Sequence, residues 1–93
     1  MTLGMSEKRV MFEIYRAAAD AQYKVIYFTE LGEHERELEI ANAMRGEHVF
    51  DGFILSSEQF LAKKAVNEIL DRLNEGENLL ESDIELTLKP YMR

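Results

Sequence analysis

The chain has 93 residues, 46 % of them hydrophobic and 31 % charged, which is the composition of one globular domain rather than of a disordered or fibrous chain. Eighteen acidic against eleven basic residues leave a formal net charge of −7, which disfavours direct binding of nucleic acid because phosphates repel acidic proteins. The chain contains no cysteine, so disulfides, thiol catalysis and cysteine-ligated zinc are excluded.

Two further features bear on localisation. Residues 1–7 lack the basic segment and the apolar stretch of a signal peptide. The longest strongly apolar run, residues 25–28, is far too short to cross a bilayer. We therefore expect a cytoplasmic protein that forms a single domain over residues 1–93 and makes no membrane contact.

The first predicted element is a helix over about residues 6–22, because apolar side chains recur there at helical spacing. A stripe of alternating charge marks its solvent side: Arg9, Glu13, Arg16 and Asp20. Phe12 and Ala19 fall outside the main apolar face, beside Tyr15. A helix that is apolar over so much of its circumference is either buried between elements or shared with a partner.

The middle of the chain predicts a strand, a helix and a second strand. Residues 24–31 are rich in β-branched and aromatic side chains, which favours a buried strand. A helix is expected over about residues 33–45, ending at Gly46. The second strand is expected within residues 48–55, with Asp51-Gly52 indicating a turn or a bulge in its middle.

The last third predicts a helix and a final strand. Ser56 and Gln59 have the spacing of a capping box, and the helix that they open is expected to end at Gly76. In the C-terminal segment, apolar residues at 84, 86 and 88 alternate with polar ones, which favours a strand closed by Pro90. The alternative is a helix, since Ser82-Asp83-Ile84-Glu85 also fits a capping box.

The resulting order is helix, strand, helix, strand, helix, strand. Strands separated by helices favour parallel pairing. We therefore expect an α/β domain with three helices around a small, mostly parallel sheet.

One polar set could carry chemistry, because ligands of open parallel sheets bind beyond the carboxyl ends of the strands. It comprises Thr29, Glu30, Glu33, His34 and Glu37, approached by Ser56 and Ser57. A histidine flanked by carboxylates can act as a general base or bind a divalent metal. However, acids in the first turn of a helix are favoured by its dipole and need no chemical role. We expect no catalytic residue, no cofactor and no stoichiometric metal.

Acidic residues cluster over residues 30–39 and 75–85, and no base lies between Arg72 and Lys89. One interpretation is an acidic surface for a basic partner, and the other is plain solubility. The candidate contact residues are Glu35, Glu39, Glu81 and Glu85.

The broad apolar surface of the first predicted helix leads us to expect a homodimer through Phe12, Tyr15 and Ala19, with Phe12 near the two-fold axis. On this hypothesis Phe12→Asp gives a folded monomer, whereas Ile14→Asp unfolds the chain.

The composition and the lack of catalytic motifs favour a small acidic, non-enzymatic protein–protein interaction domain. Its expected role is to regulate or inhibit a basic partner, including one that handles nucleic acid. The alternative is a small hydrolase or metal-binding protein that uses Glu30, Glu33 and His34.

Overall fold

The computed structural model describes residues 9–28, 34, 37–38 and 46–92. The main elements within these ranges are β1 (Arg9–Ala17), β2 (Tyr23–Tyr27), β3 (Gly46–Leu55), α1 (Gln59–Asn74) and α2 (Glu81–Leu88). The three strands form an antiparallel sheet in the order β2–β1–β3. The predicted architecture of three helices around a mostly parallel sheet is therefore wrong.

The segment predicted as the first helix is the central strand β1. Val10, Phe12 and Ile14 are buried, and the residues between them are partly exposed, as expected when alternate side chains face opposite sides of a sheet. Strand β1 pairs with β2 on one side and with β3 on the other. Residues spaced by four are neighbours both on a helix and on one face of a strand, so the predicted helical face was a coincidence of spacing.

A tight turn at residues 18–22 reverses the chain between β1 and β2. The Asp20 carboxylate accepts a hydrogen bond from the Gln22 N–H at 3.0 Å, and Ala21 takes a positive φ of 59°. Lys24 pairs with Asp20 at 3.0 Å and, with the Gln22 hydrogen bond, lowers the pKa of that carboxyl. These contacts stabilise a hairpin in the place where a continuous helix was expected.

The first two predicted strands agree with the structure in position but not in pairing. Strand β2 covers the first part of predicted residues 24–31, and β3 contains the whole of predicted residues 48–55. The irregularity of β3 lies before Asp51-Gly52, because Ile14 pairs with Phe50 whereas Tyr15 pairs with His48. This shift leaves Val49 as the extra residue of a bulge.

The helix predicted from Ser56 to Gly76 is confirmed, although its start differs in detail. A short 3₁₀ turn, Ser56–Glu58, precedes α1, and the expected capping box does not form, since no side chain caps either start. Gly76 ends the helix with a φ of +91°, a conformation that favours glycine.

The C-terminal segment is the helix α2, so the predicted strand is wrong. The Leu80 N–H donates to the Asp83 carboxylate at 3.0 Å, which satisfies one free donor at the helix start. Ile84 and Leu88 are buried, but Leu86 is 70 % exposed. A strand would place all three side chains on the same face of the sheet. A helix instead places residues 84 and 88 on one face and turns residue 86 away from it, as observed.

One core joins the sheet to the two helices. Its fully buried side chains come from β1, β3, α1 and α2: Phe12, Ile14, Ile54, Ala62, Val66, Ile69, Ile84 and Leu88. Phe12 lies at its centre, with ring centroids 6.3 Å from Tyr27 and 6.0 Å from Phe50. The helices therefore cover the face of the sheet to which Phe12 points.

Candidate functional site

The polar set predicted around His34 is only partly within the described residues. Thr29, Glu30 and Glu33 lie outside them, whereas His34 and Glu37 are helical and exposed. Among the described residues no group of three or more His, Asp or Glu side chains is arranged to hold a metal ion. In the same ranges, every helix is too short or too polar to span a membrane.

The three residues predicted for a dimer interface do not share a surface. Phe12 is 0 % exposed, so it belongs to the core and cannot lie at a two-fold axis between folded copies. Tyr15 is partly buried on β1, and its hydroxyl donates to the Glu13 carboxylate. Ala19 is exposed in the turn after β1. Self-association stays a prediction. These three residues were assigned to the interface because residues 6–22 were expected to form a helix, whereas residues 9–17 form strand β1.

A polar cluster that sequence reasoning missed lies on the face of the sheet opposite Phe12. The His48 Nε2 atom lies 3.8 Å from a carboxylate oxygen of Glu13 and 3.8 Å from one of Asp51. The His48 ring meets the Tyr15 ring edge-on, with centroids 5.4 Å apart. The register of β1 and β3 brings these side chains together, and the bulge at Val49 sets that register. No local spacing in the sequence indicates this cluster.

Only two of the four acidic residues predicted for a partner surface lie within the described residues. Glu35 and Glu39 lie outside the described residues, and Glu81 and Glu85 are exposed on α2. The structure adds Glu47, at the start of β3, which sequence reasoning did not single out. Glu47, Glu77 and Glu81 line a cleft of about 300 Å³. We call it the acidic cleft.

The floor of the acidic cleft is apolar. It is formed by Val49 of β3, Leu73 of α1 and Leu79 of the connection between the helices. Leu79 and Val49 are partly buried against the core cluster, which holds the floor in place. Leu80 stands at the rim with 61 % of its surface exposed.

The charges around the acidic cleft are not balanced. Arg72 binds Glu77 through two hydrogen bonds of 2.9 and 2.5 Å, and this contact lowers the pKa of the Glu77 carboxyl. Arg16 pairs with Glu47 in the strand register, but its Nε donates to the Ala21 carbonyl at 3.3 Å. Among the described residues, Glu47 and Glu81 have no ion-pair partner, so the lining of the cleft carries two unpaired carboxylates.

Comparison with known proteins gives no relative. A scan against protein-family models found no match, and searches of curated proteins and of solved structures found no significant match.

Proposed function

We propose that the protein is a non-enzymatic protein–protein interaction domain that binds a basic partner at the acidic cleft. The observation that carries this proposal is that Glu47 and Glu81 line one cleft together with the apolar side chains of Val49, Leu73 and Leu79. The two residues come from β3 and α2, so the cleft that they line depends on the tertiary fold.

The cleft has the chemistry that a lysine or arginine side chain needs. Such a side chain has an apolar stem and a charged head, and it prefers to bury the stem while its head stays at the surface. The partly buried Val49 and Leu79 offer apolar contact for the stem, and the exposed Glu47 and Glu81 offer carboxylates for the head. The exposed Leu80 adds apolar surface to the contact.

The charge of the whole chain supports the same class of partner. A net charge of −7 attracts a basic protein from a distance and accelerates its association at low salt. A partner that handles nucleic acid has a basic surface, and occupying that surface would regulate or inhibit it.

The test uses a short oligo-arginine peptide as the probe and calorimetry as the readout. Glu47→Gln combined with Glu81→Gln removes the two unpaired carboxylate charges. The matched control, Glu68→Gln with Asp71→Asn, removes the same charge from exposed positions of α1. Exposed ion pairs contribute about 0.2–1 kcal/mol each, so we expect the cleft variant to bind the peptide about fivefold more weakly. The control should change the affinity by much less.

Equal weakening by the two double variants would contradict the proposal, because it would show that only the total charge matters. Raising the salt concentration should remove most of the difference between the wild type and the cleft variant, because exposed charges are screened.

A further inference from the structure

Among the described residues no strand pairs with the outer edge of β3, so that edge presents backbone groups that point away from the sheet. The Met11 carbonyl accepts the Phe28 N–H at 2.9 Å, so Met11 directs its backbone groups toward β2 and Phe12 directs its own toward β3. Gly52 pairs with Phe12 and therefore faces β1. Because backbone direction alternates along a strand, the N–H and C=O groups of Phe53 face outward, and so do those of Asp51.

Strands β2 and β3 form the edges of the sheet within the described part of the chain, and they differ in the features that oppose pairing with a further strand. Strand β2 has only five residues, and the Asn74 side chain bonds both the N–H and the carbonyl of Tyr23 at 2.8 and 3.2 Å. In β3 the bulge at Val49 disturbs only the first half. The second half, residues 50–55, holds one charge and no proline or lysine, the residues that protect exposed edges.

A largely apolar groove of about 610 Å³ lies beside Gly52 and Phe53 in this second half of β3, and we call it the edge groove. Phe53, which is 44 % exposed, and Leu86, which is 70 % exposed, line it together with Met92. Gly52 allows this arrangement, because a Cβ at that position would collide with the end of the Met92 side chain.

The charges along the edge groove have a direction. Helix α2 runs the same way as β3, since Glu81 lies beside Glu47 in the acidic cleft and Met92 lies beside Gly52. In the direction of β3, the acidic lining residue Glu85 of α2 therefore comes before the two basic lining residues. These are Lys89, which follows α2, and Arg9, which pairs with Leu55 at the end of β3.

We propose that a second copy of this chain occupies the edge groove, with the two β3 strands paired antiparallel about a two-fold axis. The axis reverses the direction of the second copy, so the acidic end of each groove meets the basic end of the other. Symmetry thus makes this surface complementary to itself, both in charge and in the strand direction that pairing requires. The paired strands would join the two sheets into one sheet of six strands.

The charges also select the register of this pairing. A two-fold antiparallel pair places one residue opposite its own copy. Asp51 in that position would bring two like charges together, whereas Phe53 there forms an aromatic pair. With Phe53 on the axis, Asp51 lies opposite Leu55 of the second copy. The neighbour of that leucine in β1 is Arg9, which supplies an opposite charge.

This inference does not depend on the acidic cleft, and its first test is the oligomeric state by sedimentation over a range of concentrations. We expect a wild-type dimer and a folded Phe53→Lys monomer. The matched control, Phe60→Lys, changes an aromatic residue on α1 that is 82 % exposed, and it should leave the dimer intact. A monomeric wild type at high concentration, or a dimer that survives Phe53→Lys, would overturn the proposal.

The second test uses the absence of cysteine from the chain, which lets single cysteines report on the register. Hydrogen-bonded antiparallel neighbours have Cα atoms about 5.5 Å apart, within the range that a disulfide spans. Phe53→Cys should therefore link to its own copy under mild oxidation. Asp51→Cys should not, because its own copy lies several residues away along the strand. Efficient linking of Asp51→Cys but not of Phe53→Cys would overturn the proposed register.

Discussion

Replacing Phe12 by alanine tests whether this residue of β1 lies in the core of the fold. The side chain is 0 % exposed and lies between the rings of Tyr27 and Phe50 on the central strand. Truncating a buried phenylalanine removes its transfer free energy and leaves a cavity, which together cost about 3–5 kcal/mol. A domain of 93 residues has a total stability of roughly 5–14 kcal/mol, so this single change removes a large share of it.

The free energy of unfolding should be measured by urea denaturation, followed by far-ultraviolet circular dichroism. Phe60→Ala is the matched control, because it removes an equal side chain that is 82 % exposed on α1. We expect that control to stay within about 0.5 kcal/mol of the wild type. If Phe12→Ala and Phe60→Ala shifted the denaturation midpoint equally, Phe12 would not be a core residue and the assignment of β1 would fail.

The burial of Phe12 reverses the outcome expected from the sequence for Phe12→Asp. A helix with Phe12 on its outer side would tolerate the charge and lose only a dimer contact. Strand β1 places the carboxylate in the centre of the core, where burying an unpaired charge is prohibitive. We expect Phe12→Asp to be unfolded at every protein concentration, and a folded monomer would refute the structure of β1.

Three further changes should be measured in the same denaturation assay. Gly46→Ala should destabilise the protein by about 1–3 kcal/mol, because its Cβ would collide with the backbone carbonyl of Arg16 in β1 rather than with a flexible side chain; an unchanged midpoint would contradict this close approach. Asn74→Ala removes both hydrogen bonds to the Tyr23 backbone and should cost about 1–2 kcal/mol, and a neutral effect would show that water replaces them. Glu77→Gln should lower stability at neutral pH, because Arg72 depresses the pKa of Glu77 and favours its charged form in the folded state. This stabilisation is present above the ordinary glutamate pKa and is lost as the pH falls through the lowered value, so a wild type and variant that differ equally at neutral and strongly acidic pH would contradict it.

Two segments of this chain show how far local spacing can be trusted. Val10 and Ile14 in β1, like Ile84 and Leu88 in α2, are separated by four residues, and all four are buried. That separation is compatible with a helix and with a strand. The residue midway between each pair distinguishes the two structures. Phe12 is buried in β1, whereas Leu86 is exposed in α2. Because both residues are apolar, their identity alone does not distinguish a strand from a helix.

The sequence predicted part of the candidate site and missed the rest. The acidic run between Arg72 and Lys89 is visible in the sequence, and it led to Glu81 and Glu85 as exposed contact residues. Glu47 could not be assigned to the same place, because its position beside Glu81 depends on how α2 packs along β3. The cluster around His48 depends in the same way on a strand register with a bulge in it.

Several features of this protein follow from its sequence alone, because they depend on contacts within a few residues. The sixteen residues of α1 carry an apolar face over four turns, and Gly76 supplies the positive φ that ends the helix. The strand character of β2 and β3 follows from their β-branched and aromatic residues. The tertiary structure decided whether β1 and α2 were strand or helix, and whether the sheet was parallel or antiparallel. The reason is that a strand is stabilised by hydrogen bonds to segments distant in the chain. Which side chains become buried likewise depends on how those distant segments pack together.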